Sequence, residues 1–322
     1  MVRYGILKRA AFALVTAFVA VTINFFLFRV LPGSAITNWA HVPNSSPQLQ
    51  AALKREFGLD RSTTAQYFLY VKQLLHGNLG ISFTNQQPVS HNLYIALKNT
   101  IPLVGISTLI ALVLGLWTGI LSARRRGTLI DHISTGTAVV LYALPTQWIG
   151  LLLLILLGGH LPSAGMSSPF EFTTPPFWQH MEDIAKHMIL PGITLVLTIY
   201  GSMTLIIRSA MLEVLGEDFI LTARAKGLTQ RSIVRRHALR NAMLPIVTLI
   251  ALSLGYIVAG AILVEIVFTW PGIGSALYNA VVTRDYPMMQ GGFLVIAFSV
   301  IFFNFLAETL YFSLDPRISH EH

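Results

Sequence analysis

Six runs of predominantly apolar residues, at about 10–28, 101–123, 133–157, 188–207, 244–268 and 293–312, dominate this chain. Each is close to the ~20 residues that a helix, rising about 1.5 Å per residue, needs to cross a hydrocarbon core ~30 Å thick. Composition removes the reading of these runs as buried helices of a soluble protein. Charged residues are only 11% of the 322 and hydrophobic ones 54%, whereas a soluble domain carries about 25% charge. So little charge cannot cover a water-facing surface of that size, and disordered chains are poor in apolar residues rather than rich in them. The expectation is an all-α integral membrane protein with six transmembrane helices. The first run is the weakest, with Thr16, Thr22 and Asn24 inside it. A cleaved leader is not expected there: the run exceeds the roughly 7–15 residues of a signal core, and no small-x-small site follows.

An even number of crossings puts both termini on one side. Lys and Arg choose the side, because cytoplasmic loops retain them. With the N-terminus inside, the inner segments hold 14 of the 22 basic residues: Arg3, Lys8, Arg9, Arg124, Arg125, Arg126, Arg208, Arg224, Lys226, Arg231, Arg235, Arg236, Arg240 and Arg317. Six of the other eight lie in or beside one long outer loop, where the bias has little force. An N-in, C-in topology follows, and the formal net charge of +8 reads as topology before it reads as nucleic-acid binding. The absence of cysteine excludes disulfides, thiolate metal sites and cysteine nucleophiles.

The connections are unequal. The first outer loop, 31–100, contains an amphipathic stretch from Thr63 to Leu75 with Phe68, Val71, Leu74 and Leu75 near helical spacing. It reads as a small extracytoplasmic cap lying on the bundle. The outer loop from Gly158 to His187 is rich in Pro, Ser and Thr and reads as irregular. The inner stretch from Arg208 to Asn241 is basic and patterned. Leu212, Leu215, Phe219 and Ala223 fall on one helical face, Gly227 stands where a helix end wants a left-handed residue, and Thr229 is a natural N-cap for a second helix, Gln230–Arg240. The pattern is helix, tight glycine turn, helix. A DNA-reading helix-turn-helix fails on geometry, since both ends are tethered at the membrane. Two readings stay open: a basic loop touching anionic headgroups, or an ordered docking element for a cytoplasmic partner.

The residues of that loop, Asp218-Phe219-Ile220-Leu221-Thr222-Ala223-Arg224-Ala225-Lys226-Gly227-Leu228 and then Arg236-His237-Ala238-Leu239-Arg240-Asn241-Ala242-Met243-Leu244-Pro245, resemble the cytoplasmic loop of ABC importer permeases of the dipeptide/oligopeptide/nickel branch. In the wider superfamily the loop begins Glu-Ala-Ala, where this chain has Thr222-Ala223-Arg224. Further blocks agree in order: Phe57-Gly58-Leu59-Asp60, His76-Gly77-Asn78-Leu79-Gly80 (Asn78 where an Asp is usual), His187-Met188-Ile189-Leu190-Pro191, Glu265-Ile266-Val267-Phe268-Thr269-Trp270-Pro271-Gly272-Ile273-Gly274, Arg284-Asp285-Tyr286-Pro287 and Asp315-Pro316-Arg317.

The resemblance implies a type I ABC importer permease fold in a multi-pass bacterial cell membrane protein. It implies a homologous second permease subunit, two cytoplasmic ATP-binding subunits carrying ATP and Mg, and an extracytoplasmic substrate-binding protein. It implies peptide cargo, with nickel chelates or short glycans as the alternatives inside the family. It assigns ATPase coupling to Phe219, Thr222, Ala223, Arg224, Ala225, Lys226, Gly227 and Leu228. One part stands on the residues alone. A phosphate-binding P-loop needs Gly-Lys followed by Ser or Thr, and none of the six lysines follows a glycine. No cofactor is therefore expected in this chain, and ATP hydrolysis is expected on separate subunits. Arg235, Arg236 and Arg240 are expected at lipid headgroups more than at a partner.

Two acidic residues fall within the expected spans, Glu265 near the outer end of the fifth and Glu308 beside Asn304 in the sixth. Intramembrane carboxylates are functional candidates. Glu308 is expected to be hydrated or paired at an interface, while Glu265, with Trp270 and Pro271, is a candidate outer gate or pathway residue. Gly115-x-x-x-Gly119 would allow two helices to approach closely. The rival of another class, an ion-coupled secondary transporter, calls for clustered intramembrane charge, which two isolated glutamates do not supply.

Overall fold

The computed structural model describes residues 2–30, 61–168, 176–243, 246–247 and 261–314, the side chains of residues 2–5, 29–30 and 310–314 excepted. The Phe57–Asp60 block, most of the fifth apolar run and the Asp315-Pro316-Arg317 block lie outside them. Among the described residues the chain is helical apart from turns and one isolated bridge between Ile81 and Pro88. In chain order the helices are α1 (Val2–Val30), α2 (Thr63–Leu75), α3 (Val89–Arg124), α4 (Leu129–Ala143), α5 (Thr146–Leu157), α6 (Phe177–Leu215), α7 (Asp218–Ala225), α8 (230–243), α9 (261–267), α10 (Ile273–Thr283) and α11 (Tyr286–Leu314). α1, α3, α6 and α11 are each long and apolar enough to cross a bilayer, and α4 with α5 makes a further candidate crossing that bends by 102°.

That bend breaks the third expected run, 133–157, into two helices. Pro145 has no N–H to continue the ladder and forces the residue before it out of the helical region. Leu144 accordingly adopts φ −73°, ψ 132°. The fourth run is also longer than expected. α6 begins at Phe177, so the end of the supposedly irregular outer loop is helical, and it passes through Pro191 without stopping. It carries Arg208 as well, which belongs to this helix rather than to the loop.

α3 and α6 share the broadest helix–helix contact, and glycines make it possible. A Cβ on Gly115 would stand 2.7 Å from Met203 Cβ, and one on Gly119 2.9 Å from Ile207 Cβ. On another face of α6, Gly201 would place a Cβ 2.7 Å from the Ala138 carbonyl oxygen of α4. In lipid, where apolar side chains gain nothing by leaving the solvent, such backbone proximity is the main source of helix adhesion. The Gly115-x-x-x-Gly119 spacing is thus a real contact.

α2 does form over Thr63–Leu75, capped by Ser62, with Val71 and Leu74 half-buried on the face that carries Tyr67 and Tyr70. Phe68 and Leu75 are exposed. Tyr67 and Tyr70 pack around Phe25 with ring centroids 5.2 and 5.5 Å away. Their hydroxyls reach polar groups of α1, Tyr67 with Thr22 at 2.8 Å and Tyr70 donating to Asn24 Oδ1 at 3.4 Å. A tyrosine presents an apolar body and a polar tip that needs a partner when covered. Thr22 and Asn24, which weakened the first run as a lipid-facing span, provide it. Near the far end of α1, Arg9 donates to the backbone oxygen of Glu308, whose side chain is exposed.

Candidate functional site

α3, α4 and α6 meet at one end of the bundle, and the chain there leaves α6 into a helical hairpin. The expected continuous face through Leu212, Leu215, Phe219 and Ala223 is interrupted. α6 ends at Leu215, the Gly216 amide closes on Glu213 O at 3.0 Å, and Glu217 is extended at φ −73°, ψ 150°. α7 therefore starts in a new orientation. Ile220 and Ala223 face inward, while Phe219 is 40% exposed.

α7 stops by the mechanism its sequence suggests. Gly227 adopts φ 74°. Its amide bonds Arg224 O at 2.9 Å and the Leu228 amide bonds Ala223 O at 3.3 Å, the paired bonds of a Schellman turn. Thr229 then caps α8, its side chain accepting from the Ser232 amide at 3.4 Å. α8 opens with one α-turn and continues as a π-helix over Ile233–Ala238. Extra-wide turns of this kind are rare and re-phase the faces of a helix. Here Ile233, Val234 and Ala238 point inward and Arg235 and Arg236 outward.

The hairpin is consequently a two-sided object. Its inner side shares one apolar core with the bundle: Ile220, Ala223, Ile233, Val234 and Ala238 pack with Met203, Ile207, Ala210 and Met211 of α6 and Ala123 of α3. Its outer side carries Phe219, Leu221 and Leu228, exposed by 40%, 58% and 38%. Thr222, Arg224, Ala225, Lys226 and Gly227 are exposed beside them. The structure thus brings seven of the eight expected coupling residues to one surface and turns Ala223 into the core. Leu221 was missed because a spacing of three and four marked Phe219 and Ala223 instead; the break at Gly216 shifts the phase and leaves Leu221 outward.

At the opposite end, Glu265 on α9 is fully buried. Its Oε2 accepts from the Gly274 and Ser275 amides at 2.7 and 3.2 Å, and its Oε1 accepts from Thr100 Oγ1 of α3 at 2.6 Å. Those amides open α10, where four backbone donors have no intrahelical partner and the helix dipole favours a negative group. Glu265 is therefore a cap supplied from another helix. Only glycine fits at 272 and 274: a Cβ at the first would overlap the Glu265 carboxyl and Thr100, and at the second the Ile262 backbone. Thr269, at φ 51°, occupies a region that β-branched residues rarely visit. Trp270 is buried and donates its indole N–H to Asn99 O at 3.1 Å. Of the three candidate gate residues Glu265 and Trp270 are buried, while Pro271 lines a cleft of about 310 Å³ together with Asn85, Asn92, Asn279 and Asp285. Asp285 is buried beneath it and accepts from Ser82 Oγ, the Thr84 amide at 3.2 Å and the Met288 amide at 3.2 Å.

The same chain matches two family descriptions end to end. Residues 94–320 match the binding-protein-dependent transport system inner membrane component, and residues 1–104 match the N-terminal part of that membrane component. It is 38% identical to the dipeptide transport system permease protein DppB of Escherichia coli K12, over 98% of both chains. It is 36% identical to the di/tripeptide transport system permease protein DppB of Pseudomonas aeruginosa, again over 98% of both. Among solved structures it is similar to a chain of the inward-facing MetNI methionine ABC transporter, with a TM-score of 0.54 and 16% identity over 69% of this chain and 96% of that one. That likeness is one of fold. This chain therefore belongs to the family of inner membrane components of binding-protein-dependent ABC transport systems, and is a multi-pass permease subunit of the bacterial inner membrane.

Proposed function

We propose that this permease forms half of the pathway of an ATP-driven importer of di- and oligopeptides. In this reading the chain crosses the membrane six times with both termini in the cytoplasm, pairs with a homologous permease, and receives cargo from an extracytoplasmic binding protein. Two separate ATPase subunits, holding ATP and Mg, dock on the hairpin. The observation that carries the reading is the hairpin's division into an inner side locked to the bundle and an outer side of exposed Phe219, Leu221 and Leu228 beside Arg224 and Lys226. An amphipathic helix with apolar anchors and charged flanks is what a groove on another protein accepts. Near-full-length identity to dipeptide and di/tripeptide permeases supports the cargo class.

The test uses the importer purified with the products of its neighbouring genes and reconstituted in proteoliposomes. ATP-dependent uptake of a labelled dipeptide is expected. Phe219→Ser combined with Leu221→Ser should release the ATPase subunits while the permease pair stays intact. Uptake without any ATPase subunit would refute the reading and favour an ion-coupled carrier. Uptake of a nickel chelate or a short glycan in place of peptides would refute the cargo.

A further inference from the structure

The hairpin is held to α6 by apolar packing, which tolerates sliding. On the bundle side of α6 the contact is of another kind. Arg208 donates through Nε to Asp131 Oδ1 at 2.7 Å and through a terminal nitrogen to Asp131 Oδ2 at 2.9 Å. The same Nε lies 3.1 Å from Ser122 Oγ. Ser122 itself donates to Asp131, Thr135 Oγ1 donates to Asp131 Oδ1 at 3.3 Å, and the Gly127 amide donates to Asp131 Oδ2 at 2.9 Å. One carboxylate thus gathers the end of α3, the loop to α4, the start of α4 and the end of α6. The side chain of Asp131 is 4% exposed and that of Arg208 24%.

Position gives this cluster its meaning. Arg208 directly follows Ile207 and lies three residues before Met211, both in the core that receives the hairpin's Ile220 and Ile233. The same two turns of α6 therefore pack on the hairpin and on α3 through apolar side chains, and meet α4 and the end of α3 through a two-pronged ion pair and its hydrogen-bonded Ser122. A guanidinium–carboxylate fork fixes direction as well as distance, which apolar packing does not. Buried ion pairs are poor contributors to net stability compared with apolar residues of similar size. That leaves geometry as the physical gain from placing one here.

We infer that Asp131 and Arg208 are positioning residues for energy coupling: they fasten α3 and α4 to α6 so that a displacement of the hairpin moves all three helices as one body. The inference rests on the hairpin being the ATPase docking element. Substitution at this joint leaves docking intact and lets α6 yield beneath the hairpin, so ATP is hydrolysed without matching transport.

The measurement is the number of peptides taken up per ATP hydrolysed by the reconstituted complex, with assembly checked by size exclusion. Asp131→Asn and Arg208→Gln should lower that ratio five-fold or more with hydrolysis kept within two-fold. Arg208→Lys, which keeps charge and loses the fork, should fall between these and the unmodified protein. Because the chain has no cysteine, a covalent substitute for the joint can be built cleanly. Thr118 Oγ1 of α3 and Thr204 Oγ1 of α6 are 3.0 Å apart, so Thr118→Cys with Thr204→Cys can be oxidised to tie the two helices. In the Asp131→Asn background, oxidation should restore the ratio and reduction should abolish the gain. An unchanged ratio in Asp131→Asn would overturn the proposal, as would uptake and hydrolysis falling together or a cross-link that fails to restore. A cross-link that stops transport in the otherwise native protein would also overturn it, since the contact would then have to open in each cycle. If the hairpin docks no ATPase at all, the complex fails to assemble, and that outcome strikes the proposed function instead.

Discussion

Glu265→Ala offers the sharpest test of the cap. The substitution leaves three donors without their acceptor: the Gly274 and Ser275 amides and the Thr100 hydroxyl. The hydroxyl can rotate toward another partner, and Thr100 Oγ1 still accepts from the Ile273 amide at 2.9 Å. The two amides are fixed at the start of α10 and cannot turn. An orphaned buried donor costs about 1–3 kcal/mol, so the two together cost roughly 2–6 kcal/mol. Glu265→Gln behaves differently, because its amide oxygen can face Gly274 and Ser275 while its NH₂ group faces Thr100. Its cost should stay below about 1.5 kcal/mol, the worth of a single ordinary hydrogen bond. Equilibrium unfolding of the purified importer in mixed micelles would measure both, with limited proteolysis at Ile273–Thr283 reporting whether α10 has come loose. A Glu265→Ala protein as stable as the parent would refute the capping role. A Glu265→Gln protein as damaged as Glu265→Ala would show that the charge itself, rather than the accepting oxygen, is what the site requires.

Three further outcomes follow from close approaches and turn geometry. Gly119→Leu forces a side chain into the 2.9 Å gap against Ile207 and should cost about 1–3 kcal/mol by overpacking, visible as a lowered unfolding midpoint; an unaltered midpoint would mean that α3 and α6 separate freely. Gly227→Ala meets no atom within 4 Å, so only the positive φ of 74° resists it, at a cost of about 1 kcal/mol. Gly227→Trp adds bulk to the outer surface of the hairpin and should uncouple ATP hydrolysis from uptake while the subunit still inserts; undiminished transport would count against the docking role.

What was legible in the sequence was whatever depends on local pattern. Apolar runs give α1, α3, α6 and α11 because length and hydropathy are read directly from the chain. Gly227 and Thr229 mark the turn because φ preference and capping act within a few residues. What could not be read depends on meetings between distant segments. Asp131 and Arg208 are 77 positions apart, and each alone passes for a residue at a helix end. Glu265 looks like an intramembrane charge until α10 folds back onto it. On α2 the aliphatic spacing picks out Val71 and Leu74 but not Tyr67 and Tyr70, whose hydroxyls find partners only once α1 is beside them. The bend at Pro145 had a local signal, the proline itself, which the length of the apolar run concealed.

That bend has a consequence for the lipid around it. As a straight rod, the 25 residues of 133–157 would be about 37 Å long, several ångströms more than the ~30 Å of hydrocarbon available. A right-angled arm lying flat at the headgroups would need a polar side, and α5 runs apolar on all sides from Trp148 to Leu157. α5 is therefore unsuited to lie flat at the headgroups. The carbonyls freed at the bend need cover from protein rather than lipid, and the backbone of α6 at Gly201 stands against Ala138 and Tyr142 of α4. The 102° elbow makes the end-to-end reach of this apolar stretch shorter than that of the straight rod.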